Sequence, residues 1–586
     1  MADVATKAGL GTMPGAGSII IGFDFGTTYS GVVFAESDEP DELFEVSEWP
    51  ESRTDNNRFL SSRKVPTRIR YLANGQFEWG AQVPEEAAHE AHRLFKLALE
   101  PGMFRKAAEN IGEIPLPANV DQIITDYMTG VWGRVLQTMR EQLEYEPENF
   151  HVVLTVPAVW SELSKQRTVQ AFRRIPNLPK SVTTYLLSEP EAAAIAVIKE
   201  TDRSSLKVDD TFVVVDAGGG TVDLITYTIT SLHPILKVHE ATVGTGELSG
   251  SSLINLRFQQ FLTAKLQNEP HWSTGIAHAA LQRFENTVKK RFSTADLAEN
   301  EIYNIPVPGL ALNIGAGIKK TGVFSLEAAE VHMVYERSIL MIIQLVKEQI
   351  AMCDRPVRSI FLVGGFGSST YLRERIESAV LDDTSIKGPI EILQPENAWT
   401  AVVRGAAMNG IAQSKPANYD IPVVVSRTAR RHYGYEIGVH YNDIVHASLA
   451  SKKYWNGLDG TFDVKAMIWF IRRGDNVYED HPFSKSYYYY WPVGVERSRK
   501  YPLSIYADET SKKAPIERSA SVKLLCRLTA DLSAIPDDRL DKRLGADGRM
   551  HYYVEFDIEA TYHSASTQYT VIHKGKRYDT VNAEYV

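Results

Sequence analysis

The stretch Phe212–Asp223, FVVVDAGGGTVD, constrains the fold more than any other. Val213, Val214 and Val215 form a short β-branched run of the kind found in a strand buried on both faces, and the run ends at Asp216 before three glycines. Consecutive glycines cost conformational entropy, so they mark a backbone that turns sharply or is approached closely. Successive N–H groups in such a turn make an anion-binding nest suited to phosphate, and a carboxylate at the strand end suits Mg2+ or its waters. A strand ending in Asp-Gly is by itself a common turn. The same pattern, however, occurs at Ile19–Ser30, IIIGFDFGTTYS, where an apolar triplet runs into Asp24, Gly26, Thr27 and Thr28. The two stretches read as one phosphate-binding device used twice.

Three further stretches follow in order: VPAVWSELSKQRTVQAF (Val156–Phe172), LLSEPEAAAIAV (Leu186–Val197) and FLVGGFGSSTYL (Phe361–Leu372). With the two hairpins they resemble the seventy-kilodalton heat-shock chaperones, a branch of the actin-like ATPase superfamily, over about the first two thirds of the chain. The resemblance implies a two-lobed α/β, ribonuclease H-like nucleotide-binding domain followed by a smaller all-β domain. The expected boundaries are a disordered tail over 1–18, lobe I over 19–208, lobe II over 209–412, a linker over 413–430 and a β-rich domain over 431–586.

The resemblance also implies ATP or ADP with Mg2+ as ligands, and it assigns roles. Gly26, Thr27, Thr28 and Tyr29 of the first hairpin and Gly218, Gly219, Gly220 and Thr221 of the second would hold the phosphates. Asp24 and Asp216 would position the metal, and Glu189, Asp216 and Thr221 would orient the attacking water. Taken alone, Glu189 is a helix-start residue favoured by the dipole. Gly244 and Gly246 stand where the family has a Gly-Gly-Glu-Asp loop, although the second acidic residue is missing. Glu285 and Lys289, at helical i,i+4 spacing, form a surface ion pair on the plain reading and an adenosine clasp on the family reading. Gly364, Gly365, Phe366 and Ser368 would receive the adenine and ribose, with Ser368 in place of the arginine usual in the chaperones.

A catalytic lysine pointing at the transferred phosphate is expected near Pro84–Leu99, which reads as a helix with Pro84 at its start. Lys96 is the candidate and His92 the alternative, while a solvated basic face formed by His92, Arg93 and Lys96 is the plain reading. The triplet Val423–Val425 is either an edge strand or the apolar linker that docks in one nucleotide state.

Composition narrows the remaining classes. A chain of 586 residues is too long for one core. A net charge of −10 with a pI near 5.9 argues against a general nucleic-acid or membrane-surface binder. Two distant cysteines, Cys353 and Cys526, exclude a disulfide framework and suit a reducing compartment, so a cytoplasmic location with nuclear access is expected. No run is long and apolar enough for a membrane span.

From His432 onward the pattern shifts to period two: Val522, Leu524, Cys526 and Leu528, then Val554, Phe556, Ile558 and Ala560, alternate with polar neighbours. These segments predict antiparallel sheets with one face buried. The domain stands where the chaperones hold their peptide-binding β-sandwich, so the resemblance implies unfolded peptide or a specific protein partner as its ligand. The aromatic run Tyr487–Trp491 is either packing or a binding surface. After Val554 no long amphipathic helical stretch remains, so the helical lid of typical chaperones is expected to be missing. Three rivals stay open: a non-hydrolysing nucleotide scaffold, a small-molecule kinase of the same superfamily, and a filament-forming actin relative. Oligomeric state is not legible.

Overall fold

The computed structural model describes residues 18–51, 58–102, 104–105, 119–143, 145–414, 420–456, 459–479, 481–495, 500–532, 540–580 and 582–585. The described residues divide into two compact units, with the boundary along the chain between Val424 and Val425. Apart from Ser18, the expected tail lies outside the described residues, as do residues 415–419 of the expected linker.

In the N-terminal unit the apolar runs become strands β1 (Ile19–Asp24), β2 (Tyr29–Glu36), β3 (Glu39–Glu45), β4 (Phe150–Val156) and β5 (Val182–Ser188), arranged in the order β5-β4-β1-β2-β3. β1 runs antiparallel to β2 and parallel to β4, and β4 runs parallel to β5. A second sheet repeats this plan with β6 (Thr211–Ala217), β7 (Val222–Ser231), β8 (Lys237–Glu240), β9 (Val357–Val363) and β10 (Glu391–Leu393), in the order β10-β9-β6-β7-β8. β6 again runs antiparallel to β7 and parallel to β9. The repetition read in the two Asp-Gly hairpins is thus a repetition of whole sheets. β1, β4 and β6 are buried along their full length, as continuous apolar runs require when helices cover both faces.

The helix Ala328–Met352 buries Val331, Tyr335, Ile339 and Ile342 in the core of the second sheet. The helix Glu189–Glu200, with Pro190 in its first turn, carries the motif glutamate at its N-terminus. It packs against the helix Ala401–Ser414 so closely that a Cβ on Gly405 would lie 1.7 Å from the Ala192 carbonyl oxygen.

One expected element is corrected. Pro84–Leu99 is not a helix: it forms two short 3-10 turns, Glu85–Ala87 and Phe95–Leu99, separated by His92–Arg93, which pairs with Arg68–Ile69. Leu94 takes the left-handed conformation at φ 57°, which breaks any helical register linking His92, Arg93 and Lys96.

In the C-terminal unit the described residues form two antiparallel sheets. One has the order Tyr454–Asn456, Thr461–Ile471, His432–His440, Lys500–Asp508, Lys523–Asp531 and Asn582–Tyr585. The other joins Phe483–Pro492 to Met550–Tyr562, Thr567–His573 and Lys576–Thr580, with Asp541–Leu544 also on Met550–Tyr562. Ile505, Cys526 and Leu528 from the first sheet and Val554, Phe556 and Ile558 from the second share one core. Tyr487 and Trp491 are buried in it, while Tyr488 is exposed on the opposite face. Val423–Thr428 is a strand, and Ser426–Thr428 pair with Asn476–Tyr478.

Candidate functional site

The two hairpin turns meet face to face. A Cβ on Gly219 would lie 2.1 Å from Thr28 Oγ1, so the close approach of the turns requires a glycine there. The Gly218–Gly220 carbonyls are in turn tied down: Ser251 N–H donates to Gly218 O at 3.1 Å, Ser252 N–H to Gly219 O at 2.8 Å and Gly250 N–H to Gly220 O at 3.0 Å. The third glycine loop presses on the same point. Gly364 sits at φ 82°, where a Cβ would come within 2.5 Å of Asp216 Oδ1.

These turns open into a cleft of about 1330 Å³. Asp24, Gly26, Thr27, Thr28 and Tyr29 line it from the first hairpin, and Asp216 with Gly218, Gly219, Gly220 and Thr221 from the second. Glu189, Glu285, Lys289, Gly364, Gly365, Phe366 and Ser368 line it as well. Three candidates do not. Lys96 is buried behind Glu189, flanked by the Phe25 and Trp160 rings. Gly246 belongs to the strand Thr245–Glu247, opposite Asp223, and Gly244 N–H donates to Glu240 Oε1. The end of that loop which does line the cleft is Ser251–Ser252, where the helix Ser251–Leu266 begins.

The floor of the cleft is strongly charged. Asp24, Glu189 and Asp216 line it and are buried, as is Asp223 opposite Asp216 on the neighbouring strand, and this crowding favours the protonated forms of Glu189 and Asp216. Burial pushes Glu189 up to about 7, against the opposing pull of the Lys96 ammonium, whose Nζ donates to Glu189 Oε1 at 2.6 Å. Burial, reinforced by Glu189, Asp223 and Asp24, raises Asp216 well above the usual carboxylate range. Lys64, not foreseen in the sequence, donates from Nζ to Asp24 Oδ2 at 2.6 Å, while Thr155 Oγ1 lies 3.2 Å from Asp24 Oδ1.

Beside the cleft the helix Thr274–Arg283 continues into a π-helical turn, Phe284–Val288, where the extra residue shifts the following side chains around the axis. Glu285, Asn286, Lys289 and Lys290 all face the cleft. The expected Glu285–Lys289 pair is present at 3.8 Å, but Lys289 Nζ also donates to Asn255 Oδ1 at 2.9 Å and Ser251 O at 3.2 Å. Burial pulls Lys289 down to about 8. Trp399 is a further lining residue that the sequence reading missed. Its ring stands edge-on to Tyr29 at 5.8 Å and beside Gly365.

The donor set suits a phosphate-bound divalent cation. Asp24, Glu189 and Asp216 present carboxyl oxygens to the cleft that a cation would draw into the ionised form, and the glycine turns offer backbone room for phosphate oxygens. Among the described residues no three His, Cys, Asp or Glu side chains gather closely enough to ligate an ion directly. Mg2+ held through its own waters fits that arrangement, because it dehydrates reluctantly.

Two copies of one sheet plan, facing each other across a cleft floored by strand-end aspartates and glycine turns, define a member of the actin-like ATPase superfamily. Within it the chain belongs to the Hsp70 family, whose model, Hsp70 protein, matches residues 121–421. It is similar to human heat shock 70 kDa protein 12B, with 22% identity over 510 residues covering 71% of this chain and 72% of that protein. It is also similar to heat shock 70 kDa protein 12A of human and mouse, each 21% identical over 505 residues, covering 69% of this chain and 72% of the relative. The low identity makes it a divergent member. Among the described residues no helix is long and apolar enough to cross a membrane.

Proposed function

We propose that the chain binds ATP and ADP with Mg2+ in this cleft, hydrolyses ATP slowly, and couples nucleotide state to its β-rich C-terminal unit as a chaperone-like switch. The observation that carries this reading is the meeting of two hairpin turns, each with a strand-end aspartate, on one cleft. Thr27, Thr28 and the Gly218–Thr221 backbone would cradle the β- and γ-phosphates, with Asp24 and Asp216 holding the hydrated metal, whose charge would offset that on the phosphoryl oxygens. Glu189, Asp216 and Thr221 orient the attacking water. A carboxyl titrating near 7 is suited to accept its proton at neutral pH. Glu285, Lys289 and the Gly364–Ser368 loop would take the nucleoside.

The C-terminal unit would take unfolded peptide or a specific protein partner. The domain divisions at 208, 412 and 430 follow from the same reading, as does a cytoplasmic location. A second reading, a nucleotide sensor that scarcely hydrolyses, is favoured by the burial of Lys96 away from the cleft.

Single-turnover conversion of labelled Mg-ATP by excess protein tests the choice. Conversion to ADP that disappears in Asp216→Ala supports the switch. ATP that stays bound and intact supports the sensor, and no binding at all removes both.

A further inference from the structure

With Lys96 sequestered, the phosphate end of the cleft needs another cation. We propose that Lys64 is the residue whose ammonium contacts the terminal phosphate of the bound nucleotide and so distinguishes the triphosphate from the diphosphate. This rests on the nucleotide-binding reading above.

Position singles out Lys64. Among the described residues, the other cations lining the cleft are Arg58, Arg68, Lys289 and Lys290. Arg68 is occupied by the Gly80 and Val83 carbonyls and by Glu85, and Arg58 is exposed. Lys289 is occupied by Asn255, the Ser251 carbonyl and Glu285, and Lys290 follows it directly after the π-helical turn. Lys64 alone of this set is paired with a strand-end aspartate of the phosphate turns.

Its backbone is fastened to the first phosphate turn. Val65 and Pro66 pair with Ser30 and Tyr29 immediately beyond Thr27-Thr28. Thr67 N–H donates to Thr28 O at 2.8 Å, and Thr67 Oγ1 donates to Gly26 O at 2.9 Å. The lysine stem crosses β2 at Gly31, where a Cβ would stand 3.1 Å from Lys64 Cγ. The turn that would cradle the phosphates and the backbone of Lys64 are therefore held as one piece, which fixes the short span the ammonium has to cross for a charge-assisted contact.

The buried pair also supplies the means of exchange. Lys64 and Asp24 side chains are only 7% and 6% exposed, so neither charge can be left alone there. Arrival of a phosphate and a hydrated cation gives each a new partner at once: the ammonium turns to a phosphate oxygen and the carboxylate to the cation's waters. A flexible four-carbon stem permits that swing without moving the backbone. The diphosphate lacks the terminal group, so this contact is lost with it.

Equilibrium binding of ADP and of the β,γ-imido analogue of ATP, each with Mg2+, tests this on the full chain. In Lys64→Met the analogue is expected to weaken roughly tenfold to a hundredfold and ADP by less than about threefold, with Lys64→Arg restoring most of the difference. Lys64→Gln keeps a hydrogen-bond donor for Asp24, and it should show the same selective loss if the Met variant does not fold. Equal weakening of both nucleotides overturns the proposal, as does retention of the preference in Lys64→Gln or its loss in Lys96→Met instead. An unmodified chain that binds neither nucleotide overturns the nucleotide-binding reading itself, and this inference with it.

Discussion

Lys96 Nζ donates to Glu189 Oε1 at 2.6 Å, joining a short 3-10 turn to the first turn of the helix Glu189–Glu200 with Lys96 only 1% exposed. The lysine does not line the cleft and bears on it through this glutamate, which does. Lys96→Met should cost about 3 kcal/mol of stability, because it strands a buried carboxylate. It should also move the alkaline shift of the pH–rate profile further, since the ammonium is what opposes protonation of Glu189. Adding Glu189→Gln should recover most of the stability, and thermal melts of the four members of the cycle check the coupling.

Gly405→Ala tests the packing that holds this glutamate in place. Its Cβ would meet the Ala192 carbonyl oxygen at 1.7 Å, a helix backbone that cannot turn away as a side chain can. Overpacking of this kind costs about 3 kcal/mol. Because Ala192 lies on the helix that begins at Glu189, turnover should fall along with the melting temperature.

The sequence reading reached furthest where chemistry and local pattern coincide. Asp24, Asp216 and the glycine turns are readable because a buried parallel-type strand is an unbroken apolar run and its end is punctuated by glycine. Lys64 left no such trace: it stands in a short polar stretch, and only the long-range pairing of Val65–Pro66 with Tyr29–Ser30 aims it at Asp24. Lys96 is the candidate that the resemblance offers, and the helix expected around it is broken by Leu94 with a positive φ, a conformation that leucine rarely adopts and composition does not signal. The π-helical turn at Phe284–Val288 was hidden for a related reason, since its sequence fits an ordinary helix and the extra residue shows only in the hydrogen bonding. Trp399 lies outside any helix or strand and follows no motif.

Trp399 offers an optical readout of the cleft. Its indole nitrogen lies 3.6 Å from where a Gly365 Cβ would be, beside the loop proposed to receive the base. Nucleotide addition should change tryptophan emission. The chain has nine tryptophans, and Trp399 is the one among those described that lines the cleft, so Trp399→Phe should remove most of the change. Stopped-flow fluorescence of both proteins checks this.

The carboxylates on the cleft floor make stability and ligand binding depend on pH in opposite senses. Glu189 titrates near 7 in the folded chain against an ordinary 4.5, and Asp216 is raised as well. Between about pH 4.5 and 7 the folded protein therefore holds protons that the unfolded chain has released, so these groups make stability fall as pH rises through that window. The limit is about 1.4 kcal/mol per pH unit for each group. A cation with phosphate favours the ionised carboxylates and must displace those protons, which grows easier as pH rises. Melts at pH 5, 6 and 7 should show the ligand-free protein losing stability upward while the gain from Mg-ADP increases. Asp216→Asn should flatten both trends, whereas a parallel pH dependence with and without ligand would place the titrating groups away from the site.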